Sequence, residues 1–227
     1  MRRASRSAQE KLRQVRAQVY RQHILEAAEE VFAAKGVADA SMQEIGRRAG
    51  VSMGTIYSVF PSKEAVLAGV LQWRGEEILQ LAREAVRSAD SALGALRGLM
   101  RRYVEYFVTH PHFLRMHLRL GAAWTVSPQN GSGRALVWEE IHRLQAELME
   151  RGVREGTFVD EDPALLARLF SGIDQVLLSR WVEMGMPGGA EELYAELEKW
   201  VGRLLWVSSV EGSPRRATSA QRKRVQR

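Results

Sequence analysis

The chain has 227 residues, is 45% apolar and carries a formal charge of +6, which suits one or two folded domains and excludes disorder throughout. It has no cysteine, which excludes a disulfide framework and fits a reducing cytoplasm, and no apolar run approaches the roughly eighteen residues of a membrane span. The charge is uneven: residues 1–23 hold seven Lys/Arg and one Glu, residues 212–227 hold six Lys/Arg and no acid, and residues 24–211 are therefore net −6.

Residues 1–17 are polar and Arg-rich, without the apolar stretch of a secretory signal, and read as a basic disordered arm able to extend the first helix when DNA is present. From about Ala17 to Lys35 the pattern is helical, with Ile24, Ala28, Val31 and Phe32 on one face and Gly36 as a stop. Residues 41–64, SMQEIGRRAGVSMGTIYSVFPSKE, follow. Ser41 and Glu44 match the S-x-x-E start of a helix at Met42, with Met42, Ile45 and Ala49 at core spacing. Gly50 suits a chain leaving a helix with positive φ, and Ser52 caps the next helix. Ile56 and Phe60 face inward, while Thr55, Tyr57, Ser58 and Val59 are left on or near the outer face. Pro61 ends that helix, and Ser62 caps the one after it, with Glu64 in its first turn. Two short helices around a glycine turn predict a helix-turn-helix, a unit that lays its second helix in the DNA major groove.

The rest reads as helices only: Lys63 to about Ser88, Ala92 to Thr109, His112 to Trp124, Ala135 to Gly152, Pro163 to about 184 and Ala190 to Val207. Residues 125–134, TVSPQNGSGR, form a loop, and Asp162-Pro163 is a strong helix start. The last two helices, about 163–184 and 190–207, carry leucine-rich faces wider than one core contact needs; these either fill the protomer or form a dimer surface. No alternating strand pattern and no internal repeat is present. The predicted fold class is all-α: a basic arm (1–17), a helix-turn-helix head (18–78), a helical effector-binding and dimerisation domain (79–211) and a basic disordered tail (212–227). Each tail fits either a polyanion contact or a solvated extension.

ILEAAEEVFAAKG at 24–36, IGRRAGVSMGTIYSVF at 45–60 and SKEAVL at 62–67 resemble the tetracycline repressor-like (TetR/AcrR) family of bacterial transcriptional regulators; beyond the first third, agreement is in length and helical pattern only. Val59 stands where family members often carry histidine, so a phosphate contact there is replaced by apolar contact. The resemblance implies a cytoplasmic homodimer on a palindromic operator through its last two helices, most often a repressor. It implies DNA contacts by Thr55, Tyr57 and Lys63; to these the residues add Gln43 near a helix start, Met53 and Gly54 opening the reading helix, Ser41 and Ser52 as caps able to donate to phosphate, and Ser58 and Val59 on its outer side. Arg47 and Arg48 fit phosphate partners or solvated rear charges equally. The reading helix lacks the side chains that make bidentate base contacts, so thymine methyls and DNA shape carry more of its readout. The family architecture also implies a ligand pocket. The candidate lining is Met100, Tyr103 and Phe107, then Phe113, Met116, His117, Leu120 and Trp124, then Trp138, and finally Phe170, Ile173, Asp174 and Trp181. Aromatics and methionines with few polar groups suit a small lipophilic effector, although residue by residue each also reads as ordinary core.

Other functions are weaker readings. His110, His112, His117 and His142 match no metal-binding spacing, so neither a metal nor a cofactor is expected. There is no G-x-S-x-G elbow, no glycine-rich phosphate loop and no strand to carry either, so the chain does not read as an enzyme. A ligand-independent or architectural DNA-binding protein is the alternative, for which the basic tails would be the main feature.

Overall fold

The computed structural model describes the backbone of residues 2–120 and 133–207 and the side chains of 15–120 and 137–207. Among these residues are nine helices: α1 (Arg2–Asp39), α2 (Met42–Ala49), α3 (Met53–Val59), α4 (Lys63–Arg87), α5 (Ala92–Thr109), α6 (Pro111–Arg119), α7 (Gly133–Arg154), α8 (Pro163–Glu183) and α9 (Ala190–Leu205). The fold is all-α, and the one β-type contact among them is an isolated antiparallel bridge, Phe158–Trp206, which ties the end of α9 to the α7–α8 connection. The 125–132 part of the expected loop, Trp124 and the 212–227 tail lie outside the described residues.

The head forms where α1, α2, α3 and the start of α4 close around Ile24, Phe32, Ile45, Ile56, Phe60 and Val66, all essentially inaccessible. Three serine caps punctuate it. Ser41, Ser52 and Ser62 each accept a hydrogen bond from the backbone N–H three residues on, at 3.2, 3.1 and 3.2 Å, which satisfies a donor that the first turn leaves free. Gly50 lies between the two short helices at φ 67°, ψ 28°, a left-handed conformation that glycine adopts without steric cost. Phe60 is extended ahead of Pro61 and ends α3.

One expectation is corrected. Residues 2–17 are not an unstructured arm: α1 is helical from Arg2, broken in geometry only at Gly36 (φ 84°, ψ 169°). The reason is compositional. Between Arg2 and Lys35 there is no glycine or proline, and Ala, Arg, Gln, Lys and Leu, all good helix formers, dominate.

The body packs α5 against α4, α7 and α9, and α8 against α7 and α9. Two contacts join it to the head. The helix α4 is continuous through both, and α6 packs on α1, where Arg119 donates to the Ala34 carbonyl at 3.2 Å. At the joint, Glu29 of α1 receives a bidentate pair from the buried Arg74 of α4 (2.7 and 3.2 Å); Arg74 also donates to Glu77 (2.9 Å), which accepts from the Tyr106 hydroxyl of α5 (2.6 Å). Burial works against the Arg74 charge, but the bonds and field of Glu29 outweigh it and hold its pKa above the usual range.

Candidate nucleic-acid interface and body cavity

The helix α3 has two unlike faces. Ile56 is fully buried against the head core, while Tyr57 is 52% and Met53 37% exposed, with Gly54 and Ser58 also exposed. A Cβ added at Gly54 would meet only Ser52 Oγ, at 3.8 Å, so the start of α3 is open to whatever approaches it. Thr55 is half-buried, its hydroxyl 2.9 Å from that of Ser52. The Ser58 hydroxyl donates to the Thr55 carbonyl at 2.7 Å, so its hydrogen goes to its own helix while its oxygen stays exposed. Val59 is half-buried against the core, more a flank of the helix than its reading edge.

Next to this face, Ser41, Gln43, Glu44, Arg47, Val51 and Met53 line an open cleft of about 510 Å³ between the start of α2 and the start of α3. The two arginines that looked equivalent separate here. Arg47 lines the cleft and is exposed, whereas Arg48 turns to α1 and pairs with Glu30, its Nε 2.5 Å from the carboxylate. Glu44 caps nothing with its side chain but pairs with Lys35 at 2.9 Å. The Lys63 ammonium donates to the Ala38 and Ala40 carbonyls, each at 2.9 Å, and so clamps the α1–α2 connection to α4. That clamp has no local sequence signature, since its partners lie 25 and 23 residues away.

In the body, a nearly closed cavity of about 30 Å³ lies among α4, α5, α6, α7 and α8. Of the residues proposed from the sequence, Tyr103, Phe107, His117, Trp138 and Asp174 line it. Met100, Phe113, Met116 and Phe170 are instead fully buried core. Leu120 and Ile173 are half-buried against the hydrophobic core, and Trp181 is held elsewhere, its indole N–H on the Pro187 carbonyl at 2.9 Å. Trp124 lies outside the described residues. The sequence reading missed Ile78, Ile141, His142, Gln145 and Ser171. Polar residues at core spacing on α7 and α8 were the signal available for Gln145 and Ser171, which are joined by a Ser171 hydroxyl to Gln145 Oε1 bond at 3.2 Å. The volume holds about one water and is well below the roughly 300 Å³ at which drug-sized sites begin.

Asp174 is 3% exposed, and burial raises its pKa from 3.8 to about 7. Burial, and then the neighbouring Asp174, also push the Tyr103 hydroxyl up; it lies beside Gln145 but makes no well-formed hydrogen bond. The Trp138 ring stacks on His117 with centroids 5.1 Å apart. His110 joins α5 to α6 and stacks on Tyr106 at 4.3 Å.

Comparison with known proteins gives this arrangement its context. The profile of bacterial regulatory proteins of the tetR family matches residues 24–70, which cover α2 and α3 with the end of α1 and the start of α4. The HTH-type transcriptional regulator YuxN of Bacillus subtilis is 32% identical over 99 residues, covering 44% of this chain and about a third of YuxN (34%). The HTH-type transcriptional regulator TtgR of Pseudomonas putida is 29% identical over 194 residues, 82% of this chain and 89% of TtgR. The Bacillus subtilis regulator FadR, solved in complex with stearoyl-CoA, superposes with a TM-score of 0.66 over 79% of this chain and 96% of that one, at 16% identity, and so shares the fold. No helix among the described residues is long and apolar enough to cross a membrane. The helix-turn-helix geometry, the profile matched over residues 24–70 and the relatives named as regulators agree: the head is of the tetR type, and the chain is similar to transcriptional regulators of that family.

Proposed function

We propose that the protein is a dimeric repressor that grips a palindromic operator with two copies of α3 and releases it when a small lipophilic ligand occupies the body. The observation that carries the DNA half is the division of α3: Ile56 fixes the helix to the head while Met53, Gly54 and Tyr57 stay exposed among the described residues. Thr55, Tyr57 and Met53 then meet base edges and sugars, and Gln43, Ser41, Ser52, Arg47 and the remaining N–H of Lys63 meet phosphates, which fix register without reading sequence. Because α3 spans only seven residues, two half-sites are needed for useful specificity.

A second stripe supports the dimer. Leu165, Leu169 and Val176 of α8 and Trp200 and Leu204 of α9 stay exposed although the opposite faces of both helices, with Leu166, Phe170, Leu197 and Val201, are buried. The protomer core therefore does not use this stripe, and a twofold partner covering it would bury it as a four-helix contact. Release by ligand is supported by a short route: His117 lines the cavity on α6, and Arg119, two residues on, holds the Ala34 carbonyl of α1. A ligand that binds one head spacing better than the other shifts the equilibrium by that difference. Such a regulator works in the bacterial cytoplasm, on the nucleoid.

Selection from a randomised duplex pool at moderate ionic strength tests this reading. It predicts enrichment of one inverted repeat whose half-sites lie about one helical turn, or a multiple, apart. Val176→Asp should sediment as a monomer and lose the repeat. Binding that enriches no repeat would make the protein architectural and overturn the reading.

A further inference from the structure

The body cavity joins two kinds of chemistry that its size alone does not explain. Its walls are aromatic and aliphatic, with Ile78, Tyr103, Phe107, Trp138 and Ile141, while its floor holds a carboxylate. Asp174 is 3% exposed, and no hydrogen bond or ion pair reaches it among the described residues. No lysine or arginine lines the cavity; the titratable groups facing Asp174 are Tyr103 from α5, His117 from α6 and His142 from α7. Burying a carboxyl without a partner costs stability, and ionising it there costs far more. A ligand cation is the partner that would make such a group favourable, and the faces of Tyr103, Phe107 and Trp138 attract cations as well. An anionic head in the same place would meet the Asp174 charge without a counter-ion.

We propose that this cavity is the receptor for a lipophilic amine, whose protonated nitrogen is held by the Asp174 carboxylate and whose apolar part takes the place of the Trp138–His117 stack against the aromatic wall. The assignment rests on the reading that the body takes a ligand, and deepens it by naming the ligand class. At about 30 Å³ the cavity must open to admit such a molecule. Trp138 is the half-buried member of the wall that can move, and it is stacked on the α6 histidine two residues from the Arg119 contact to α1. Entry of an amine therefore acts on the element that touches the head.

The test compares three compounds of one skeleton on the full-length protein: 3,3-diphenylpropylamine, 3,3-diphenylpropan-1-ol and 3,3-diphenylpropanoate. Calorimetric affinity, thermal midpoint and release of the selected duplex are read for each. The amine should bind about tenfold or more tighter than the alcohol, with the carboxylate weakest, and should release the duplex. Asp174→Asn should erase the amine's advantage and leave the alcohol's affinity within about twofold. If the amide variant does not fold, Asp174→Leu serves, and the three-compound comparison on the wild type stands without either. Equal or tighter binding of the alcohol or the carboxylate, with release of duplex, overturns the amine assignment while the ligand reading survives. An amine preference that persists without the carboxylate also overturns it. No binding by any of the three up to about 1 mM overturns both.

Discussion

The head and the body of this molecule are organised in opposite ways. In the head, short helices fixed by serine caps, a left-handed glycine and one buried isoleucine leave a polar face fully formed and open. In the body, long helices close over a polar cluster until about one water's worth of space remains. On the proposed reading, the surface offered to DNA is formed before its partner arrives, and the receptor for a small molecule is not. A preformed reader with a closed receptor is suited to hold DNA by default and to yield only when a ligand contributes enough binding free energy to open the body.

The largest effect tests the joint between the two regions. Arg74→Ala leaves Glu29 buried without its counter-charge and should lower stability by about 3–5 kcal/mol in a denaturant titration. A loss below about 1 kcal/mol would mean that the pair does not hold head and body together.

Next is the body's acid. The folded pKa of Asp174, about 7, lies above its ordinary 3.8, so between those values the folded state keeps a proton that the unfolded chain releases. Its contribution to stability is therefore greatest below about pH 4, falls as pH rises through that window and levels off above about pH 7. Relative to Asp174→Asn, the wild type should lose up to about 4 kcal/mol across the window, measured as the difference between their melting curves. Parallel curves would place the carboxylate in water.

Smaller changes probe the head. Ser52→Ala removes the cap of a seven-residue helix and should cost about 1 kcal/mol, with a proportionally greater loss of operator affinity because the frayed segment is the reading helix. Gly54→Ala meets nothing closer than 3.8 Å and should raise stability by up to about 1 kcal/mol while weakening DNA binding. An affinity unchanged by the added methyl would remove the close backbone approach from the account.

What could be read from the sequence follows the range of each interaction. Ser41, Ser52 and Ser62 each act on a backbone three residues away, so the starts of α2, α3 and α4 were legible to the residue. So was the Asp162-Pro163 start of α8. The Lys63 clamp, the turn of Arg48 toward Glu30 and the Glu29–Arg74 pair join residues 18 to 45 positions apart and leave no local pattern. The cavity is harder still, because its wall is assembled from five helices. Aromatic and methionine residues on the right elements were named, but which of them face the space depends on helix rotation, and Met100 and Phe170 turned into the core while Gln145 and Ser171 turned toward Asp174. The basic start of α1 was misread because charge was weighed above the absence of any helix breaker.

The number of chains bound to the selected duplex is the most direct measurement of the central claim, that α3 reads DNA as one of a twofold pair. Sedimentation of the labelled duplex with the wild type should give two chains per inverted repeat and none of comparable affinity on a single half-site. Tight one-chain binding to a half-site, or the same stoichiometry and affinity with Tyr57→Ala and Val176→Asp, would contradict it.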